Sequence, residues 1–227
     1  ARSPCTTGAR ADSEMGHVTY CSFHRKVYVG EFRPSAAHSQ TVTTVDFAYR
    51  RASPADALVL STLATQVFLD TYATNGINPD LAKEAATVYS PEVFQSRLSA
   101  ASIELLVAGA GEYAVGFVDV DFATTCPVEW VRGAEVFRLY VQRPFQRMGL
   151  GRILMSKAET LALCRGVGSV WLTAWSGNHR ALSFYKSVGY QDVGDTQYVI
   201  EGKSYENRVL SRRLASSAAY LERSNRN

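Results

Sequence analysis

Val141-Gln-Arg-Pro-Phe-Gln-Arg-Met-Gly-Leu-Gly-Arg152 is the stretch from which the rest of this chain can be read. Ahead of it, Glu135–Val141 is rich in β-branched and aromatic residues and predicts a strand. Behind it, Ile153, Leu154, Ala158, Leu161 and Ala162 recur at helical spacing and predict a helix running to about Arg165. Strand and helix are joined by Gln146-x-x-Gly149-x-Gly151, a glycine-bearing turn that opens directly into the helix. Backbone N–H groups at a helix N-terminus, with no Cβ in the way, form an anion site suited to a phosphate. Arg143, Arg147 and Arg152 add fixed positive charge around it. An ordinary tight strand-to-helix connection would carry the same glycines. The turn is not a P-loop, because no Gly-Lys-Ser/Thr follows. Nor is it the dinucleotide-binding G-x-G-x-x-G, because no acidic residue ends a following strand.

A second cluster comes after the apolar strand Ser169-Val-Trp-Leu-Thr-Ala-Trp175: Asn178-x-x-Ala181-x-x-Phe184-Tyr185-x-x-x-Gly189-Tyr190. Arg/Gln-x-x-Gly-x-Gly/Ala, then a strand, then Asn-x-x-Ala-x-x-Phe-Tyr-x-x-x-Gly-Phe/Tyr resembles the GNAT N-acetyltransferase superfamily. The resemblance spans roughly residues 45–214 and is strongest over 134–190. It implies an α/β fold whose mixed, largely antiparallel central sheet is flanked by helices on both faces. It also implies acetyl-CoA as co-substrate, no metal, and acetyl transfer to a primary amine by direct attack.

The 227 residues suffice for one sizeable domain with extensions, and a hydrophobic content of 46% suits a globular core. No apolar run is long enough to span a bilayer, and no apolar segment marks an N-terminal secretory signal. Cys5, Cys21, Cys126 and Cys164 show no C-x-x-C spacing, two lying in a flank and two in expected core elements. Neither zinc nor a disulfide framework is therefore expected, and a reducing, cytoplasmic compartment is the default. The net charge of +3 is too small to argue for nucleic acid, but its distribution is uneven. Residues 46–129 hold four Lys/Arg against eleven Asp/Glu, a balance of −7; residues 130–214 hold thirteen against six, a balance of +7. One half reads as built for an anion and the other would tolerate a cation. Chance variation of surface charge produces the same tally.

Residues 1–44 read as an appended arm, with short strands at Val18–Tyr20 and Lys26–Phe32, and residues 215–227 as a polar tail. The acetyltransferase domain is expected over 45–214. Val45–Arg51 predicts its first strand. Ser53-Pro54-Ala-Asp56, Asn78-Pro79-Asp80 and Ser90-Pro91-Glu92 are three helix starts, each with a cap, a proline and an early acid. The first helix carries Leu58, Leu60, Leu63, Ala64, Val67 and Phe68 toward Tyr72; the other two are expected near 80–88 and 91–99. Glu104–Ala108 and Tyr113–Phe122 read as a hairpin about Gly109–Gly111. In its second strand Val118, Val120 and Phe122 share one face. Asp119 and Asp121 share the other, either a solvated face or an acceptor-facing wall. Gln191–Ile200 and Ser204–Leu214 turn at Gly202-Lys203 and should pair antiparallel. The order β-α-α-α-β-β-β-α-β-α-β-β is α/β with a mixed sheet.

What the resemblance implies for chemistry falls on individual residues. The turn Gln146, Arg147, Met148, Gly149, Leu150, Gly151 and Arg152, with Arg143 beside it, would hold the pyrophosphate of coenzyme A. Val141 matches the position whose backbone N–H meets the thioester carbonyl and serves as oxyanion donor. Asn178 matches the asparagine that binds the pantetheine arm, and an N-cap role for a helix over 178–188 is compatible with that. Tyr185 matches the tyrosine that protonates the departing thiolate, contacting the same donor. A phenol with a pKa of about 10 is acid enough for a basic sulfur; core packing beside Phe184 is the alternative. Glu135 sits where many relatives place a carboxylate base that works directly or through water. Strand alternation groups it with Phe137, Leu139 and Val141, and an acid among apolar neighbours has a raised pKa. A strand-end carboxylate in water is equally compatible, and Asp119, Asp121 and Glu129 are acids in reserve. His17, His24 and His38 lie in the arm and His179 beside Asn178, so no histidine completes a nucleophile triad.

For the acceptor, Phe68-Leu-Asp-Thr71-Tyr72 is similar to the helix of polyamine-acetylating members. With the acidic half of the chain, including Asp70, Asp119, Asp121 and Glu129, this favours a small cationic amine such as a polyamine. A protein or peptide amine and a non-catalytic acyl-CoA-binding module are the alternatives. Neither nucleic acid nor membrane is expected as a partner, and a homodimer is left open.

Overall fold

The computed structural model describes residues 46–200 and 202–215. The arm over 1–44, Val45 and the tail from 216 lie outside the described residues, and so do the strands expected at Val18–Tyr20 and Lys26–Phe32. Cys5, Cys21 and the arm histidines are outside them as well.

Among the described residues, seven strands form one sheet: β1 (Phe47–Arg51), β2 (Ile103–Ala110), β3 (Tyr113–Asp121), β4 (Ala134–Val141), β5 (Ser169–Trp175), β6 (Gln191–Ile200) and β7 (Lys203–Arg213). Their order across the sheet is β1-β2-β3-β4-β5-β7-β6. Neighbours pair antiparallel everywhere except at β4 and β5, which are parallel. A parallel pair needs a crossover, and α4 (Leu150–Cys164) supplies it after the glycine turn. The α/β class with a mixed, largely antiparallel sheet holds.

The Asn-Pro and Ser-Pro signals work as local chemistry dictates. Asn78 caps α2 (Pro79–Thr87) by accepting the Leu81 N–H at 2.9 Å, and Ser90 caps α3 (Pro91–Ser99) by accepting that of Val93 at 3.4 Å. Ser53-Pro54 starts a 3-10 turn instead, in which the Ser53 N–H donates to Asp56 at 2.7 Å. Behind it α1 (Ala57–Tyr72) begins with Asp56 at its N-cap.

Helices cover both faces of the sheet. Leu60, Leu63, Ala64, Val67 and Phe68 of α1 pack with Phe94 of α3 against Leu105, Val107 and Phe117. On the other face Leu154, Met155, Ala158 and Ala162 of α4, with Tyr185 of α5 (His179–Ser187), pack against Leu106, Val118, Val120 and Val136. Leu58, one of the apolar residues that the sequence places along this helix, is 65% exposed. Of the two described cysteines, both expected in core elements, Cys126 is buried but lies in the loop between β3 and β4, and Cys164, at the end of α4, is exposed.

One irregularity decides what the sheet can hold. Between β3 and β4, Asp119 faces Arg138 while Val120 faces Val136, so Phe137 has no partner. An extra residue of this kind bends the strand and reverses its alternation from there on. Glu135 consequently shares a face with Arg138 and Tyr140, and the expected grouping with Phe137, Leu139 and Val141 is corrected. Parallel pairing of β4 with β5 is confined to Ala134↔Val170 and Glu135↔Trp171. Beyond those residues the two strands diverge and leave a fork.

Within α1, Leu60 is fully buried and Leu58 mostly exposed. Leu60→Ala is therefore expected to cost about 2–5 kcal/mol, and Leu58→Ala to stay within about 0.5 kcal/mol. Urea unfolding followed by circular dichroism checks the pair. Equal losses would show that the inner face of the helix is misassigned.

Candidate active site

The backbone of β4 arms the fork. The Gln142 N–H donates to the Val115 carbonyl at 3.0 Å, which sets the alternation of the ladder. Tyr140 is then in hydrogen-bonding register with Phe117, whereas Leu139 and Val141 turn their N–H and C=O groups away from β3. They point into the fork, where β5 no longer supplies partners. The Val141 carbonyl accepts from Gln146 Nε2 at 2.8 Å. Its N–H faces the cavity, where no acceptor stands among the described residues.

At the end of β4 the chain turns through Arg143–Phe145 and then Arg147, a non-glycine residue at φ +67°. Gly149 follows at φ +87°, as N-cap of α4. A Cβ on Gly149 would meet nothing within 4 Å, so it is the left-handed backbone that excludes other residues there. Gly151 is glycine for a different reason: a Cβ would lie 3.3 Å from the Phe184 ring, and its absence lets α4 approach α5. The first i→i−4 bond runs from the Ile153 N–H to the Gly149 carbonyl at 3.1 Å. The N–H groups of Leu150, Gly151 and Arg152 therefore have no acceptor within the helix and form its positive end. Gln146 Oε1 is buried without a partner among the described residues.

A single cavity of about 1140 Å³ runs from this turn along the fork to α1. Arg143, Gln146, Arg147, Gly149, Gly151 and Arg152 line one end, Val141, Asn178 and Tyr185 the middle, and Asp70, Tyr72, Tyr140 and Trp175 the other end. Met148 and Leu150 do not line it. Met148 is 50% exposed and the Leu150 side chain is buried in the core, which leaves Leu150 only its N–H to offer. The Asn178 side chain accepts the Ala181 N–H at 3.1 Å, so it caps α5 while standing on the cavity wall. Tyr185 is buried more deeply than Phe184, which it meets edge-on at 5.3 Å. Its hydroxyl has no hydrogen-bond partner among the described residues. Burial first, and then the Tyr140 and Tyr72 phenols, push its pKa above the usual phenol value. His179 is exposed.

The acids sort differently from their tally along the chain. Asp119 is fully buried and held by Arg97 Nε and Nη2 at 2.6 and 2.8 Å, with Arg138 Nη1 at 3.2 Å. Asp121 is buried beside it, 3.6 Å from Arg97, and accepts the Ala123 N–H at 2.9 Å. Neither lines the cavity, so this strand face is neither solvated nor an acceptor wall. Buried carboxylates demand paired cations, and α3 and β4 provide them. Glu129 is exposed in the β3–β4 loop, away from the cavity. Glu135 is buried directly across from Asp121, and its pKa is pushed up to about 7. Burial is the main cause, a Thr124 hydrogen bond opposes it, and the Asp121 charge adds to it. The expected rise is present, but it arises among charged groups instead of Phe137, Leu139 and Val141. Glu135 does not itself line the cavity; Asp70 is the carboxylate that does, among the described residues.

The model of the Acetyltransferase (GNAT) family matches residues 72–190, more than half of the chain. The chain belongs to this family. An uncharacterized N-acetyltransferase in the pepI 3′ region of Lactobacillus delbrueckii subsp. lactis is 26% identical to it over 155 residues, 67% of this chain and 88% of that one. The N-alpha-acetyltransferase RimI of Mycobacterium tuberculosis is 33% identical over 107 residues, 47% of this chain and 63% of that one. In fold, this GNAT acetyltransferase is similar to the PaiA N-acetyltransferase of Thermoplasma acidophilum, solved in complex with coenzyme A. The TM-score is 0.61 at 22% identity, over 74% of this chain and 99% of that one.

Sequence reasoning missed Arg97, Arg138 and Arg180, the last of which stands on the cavity wall in the first turn of α5. Arg138 carried a usable signal, because a charge inside an apolar strand requires a buried partner. Nothing local marks Arg97, whose partners lie 22 and 24 residues away in β3.

The Glu135 carboxyl moves from an ordinary 4.5 to about 7 on folding. Between those values the folded chain holds the extra proton, so this group's stabilisation is complete below the lower value and is lost as pH rises to the upper one. Urea midpoints are expected to fall across that window in the native chain and to flatten in Glu135→Gln. An undiminished fall in the variant would assign the proton to another group.

Proposed function

We propose that this GNAT acetyltransferase moves the acetyl group of acetyl-CoA onto a primary amine by direct attack, with the donor lying in the β4–β5 fork. The observation that carries this reading is that the fork, with the unpaired Val141 N–H, and the open N-terminus of α4 line one cavity. The residues present suit coenzyme A. The N–H groups of Leu150, Gly151 and Arg152, with Arg143, Arg147 and Arg180, offer dipole and charge to its phosphates. Gln146 Oε1 is an acceptor lacking a donor, and a pantetheine amide would supply one. The presence of coenzyme A in the Thermoplasma protein supports the same choice.

Bound there, the thioester supplies an activated acyl carbon, and four residues divide the remaining work. The Val141 N–H meets the carbonyl oxygen as negative charge develops on it. Asn178 caps α5 through its oxygen and turns its amide N–H groups to the pantetheine arm. Tyr185 holds a proton for the departing sulfur; its raised pKa keeps the phenol protonated at neutral pH and matches a basic leaving group. Glu135 takes the proton of the amine through intervening water, since it lies behind the cavity wall, and a pKa of about 7 suits a general base. With no nucleophile triad among the described residues that line the cavity, the amine attacks directly, aided by its placement against the thioester.

A small cationic amine, such as a polyamine, is the acceptor that the cavity favours. Support comes from Asp70 at its far end and from the Tyr72 and Trp175 rings, 5.8 Å apart at 50°, whose faces attract an ammonium. Asp119 and Asp121 no longer contribute, because Arg97 and Arg138 neutralise them. A peptide N-terminus is the second reading, favoured by the likeness to an N-alpha-acetyltransferase; its ammonium is a cation of the same kind. Residues 45–214 would form this catalytic unit and work in the cytoplasm. Among the described residues no helix is long and apolar enough to cross a membrane.

Coenzyme A is expected to raise the melting temperature by mass action, and Gly149→Glu to abolish the rise, because the new carboxylate faces the phosphates. An undiminished rise in a variant with native circular dichroism would remove the phosphate site. Thiol release from acetyl-CoA, followed over a panel of cationic and neutral amines of matched size, tests the reaction and its acceptor class together. In that assay Tyr185→Phe is expected to lower kcat by about 10²–10⁴-fold with little change in donor affinity. Full activity of the variant at every pH would leave protonation of the sulfur to water.

A further inference from the structure

We propose that Asp121 and Arg97 are positioning residues which, pulling in opposite directions on Glu135, set the pH at which it can take the acceptor's proton. The inference rests on the reading of Glu135 as general base.

The geometry is that of a buried charge cluster with an odd member. Asp119, Asp121, Arg138 and Glu135 lie on one face of β3 and β4 and Arg97 reaches them from α3, two cations against three carboxylates. Asp119 takes both arginines, and Asp121 takes Arg97 and the Ala123 N–H. Glu135 has no ion pair among the described residues, so the proton that balances the cluster falls to it. Asp121 is its direct cross-strand partner, and like charges directly opposite on neighbouring strands oppose each other's ionisation.

Arg97 acts the other way, as the nearest cation that offsets the charge of Asp121. Its guanidinium is fixed from a second side by the Phe137 ring, 4.3 Å from the centroid. Phe137 is the bulged residue, so the irregularity beside the fork also seats the arginine that tunes the base. The other groups facing Glu135 are Asp119 on β3, Arg138 on its own strand, Thr124 and Cys126 in the β3–β4 loop, and the apolar Trp171 on β5. Burial pushes the Cys126 thiol up, so it stays neutral near pH 7 and adds no charge. In the step itself an N–H bond of the ammonium breaks and an O–H bond forms on the Glu135 carboxylate through water. Glu135 must therefore be ionised beforehand, and Asp121 resists that while Arg97 promotes it.

The test follows Glu135 directly and in catalysis. The full chain labelled with ¹³C at the glutamate carboxyls is titrated by NMR, the Glu135 resonance being assigned by its loss in Glu135→Gln, and kcat/KM is measured against pH. Asp121→Asn keeps the acceptor for the Ala123 N–H but removes the charge. Its Glu135 midpoint is expected to fall by about one pH unit, and the acid limb of kcat/KM to move down with it. Arg97→Gln is expected to move both upward, and Arg97→Lys, which keeps the charge, to restore them toward the native values. Loss of stability alone would not displace two variants in opposite directions. An unmoved midpoint in Asp121→Asn overturns the proposal, and so does a downward shift in Arg97→Gln. Should Arg97→Gln not fold, the Asp121→Asn midpoint decides alone. A midpoint that moves while the rate profile stays fixed also overturns it, and places the failure on Glu135 as base.

Discussion

Beyond Glu135 and Trp171, β4 and β5 stop exchanging hydrogen bonds, and the rest of the site depends on that gap. A closed sheet would bury Leu139 and Val141 against a neighbouring strand and leave nothing to offer a ligand. An open one leaves main-chain donors and acceptors facing a cavity, where they need partners. The chain meets part of that need itself, with Gln146 reaching back to the Val141 carbonyl. Among the described residues it leaves the Val141 N–H and the first N–H groups of α4 without protein acceptors along the same wall. On the proposed reading, binding falls to backbone groups whose direction is fixed by the ladder with β3 and by the helix axis, which costs no side-chain entropy to organise.

The gap opens next to Phe137, the residue that β3 leaves unpaired. One surplus residue bends β4, turns Arg138 and Tyr140 toward α3, and places its own ring beneath two guanidinium groups, at 4.3 and 4.4 Å. The charge cluster on that face is costly to bury unless complete, and it is nearly complete: two arginines serve two aspartates. Glu135 is the carboxyl left over, which is why burial and Asp121 hold it near neutrality, where a proton can be exchanged at physiological pH. Strand bend, stacking and proton affinity are consequences of one insertion.

Much of the fold was legible because its signals are local. Asn78 and Ser90 cap the helices their prolines announce, and Gln146–Gly151 is a turn into a helix, since left-handed backbone at Gly149 selects glycine wherever the chain folds that way. The start of α1 was less legible: Ser53 and Asp56 bond each other in a 3-10 turn, and the helix takes its N-cap from the aspartate. At the site, Asn178, Tyr185 and the two glycines of the turn all reach the cavity, whereas Met148, the Leu150 side chain and Glu135 do not. The placing of Glu135 went wrong at the bulge, because alternation counted along one strand cannot register a residue that the neighbouring strand fails to pair.

By itself, then, the sequence determined the order of the elements, the turn that opens α4 and the family of the chain. Each of these rests on residues a few positions apart, whose preferences act before any tertiary contact forms. Only the tertiary structure decided which charges count. The acidic half of the chain suggested a wall of aspartates, yet Arg97 comes from α3, 22 residues away, to neutralise Asp119. The value of a carboxylate is set by what lies within a few ångströms and by whether water is excluded. A list of residues records neither.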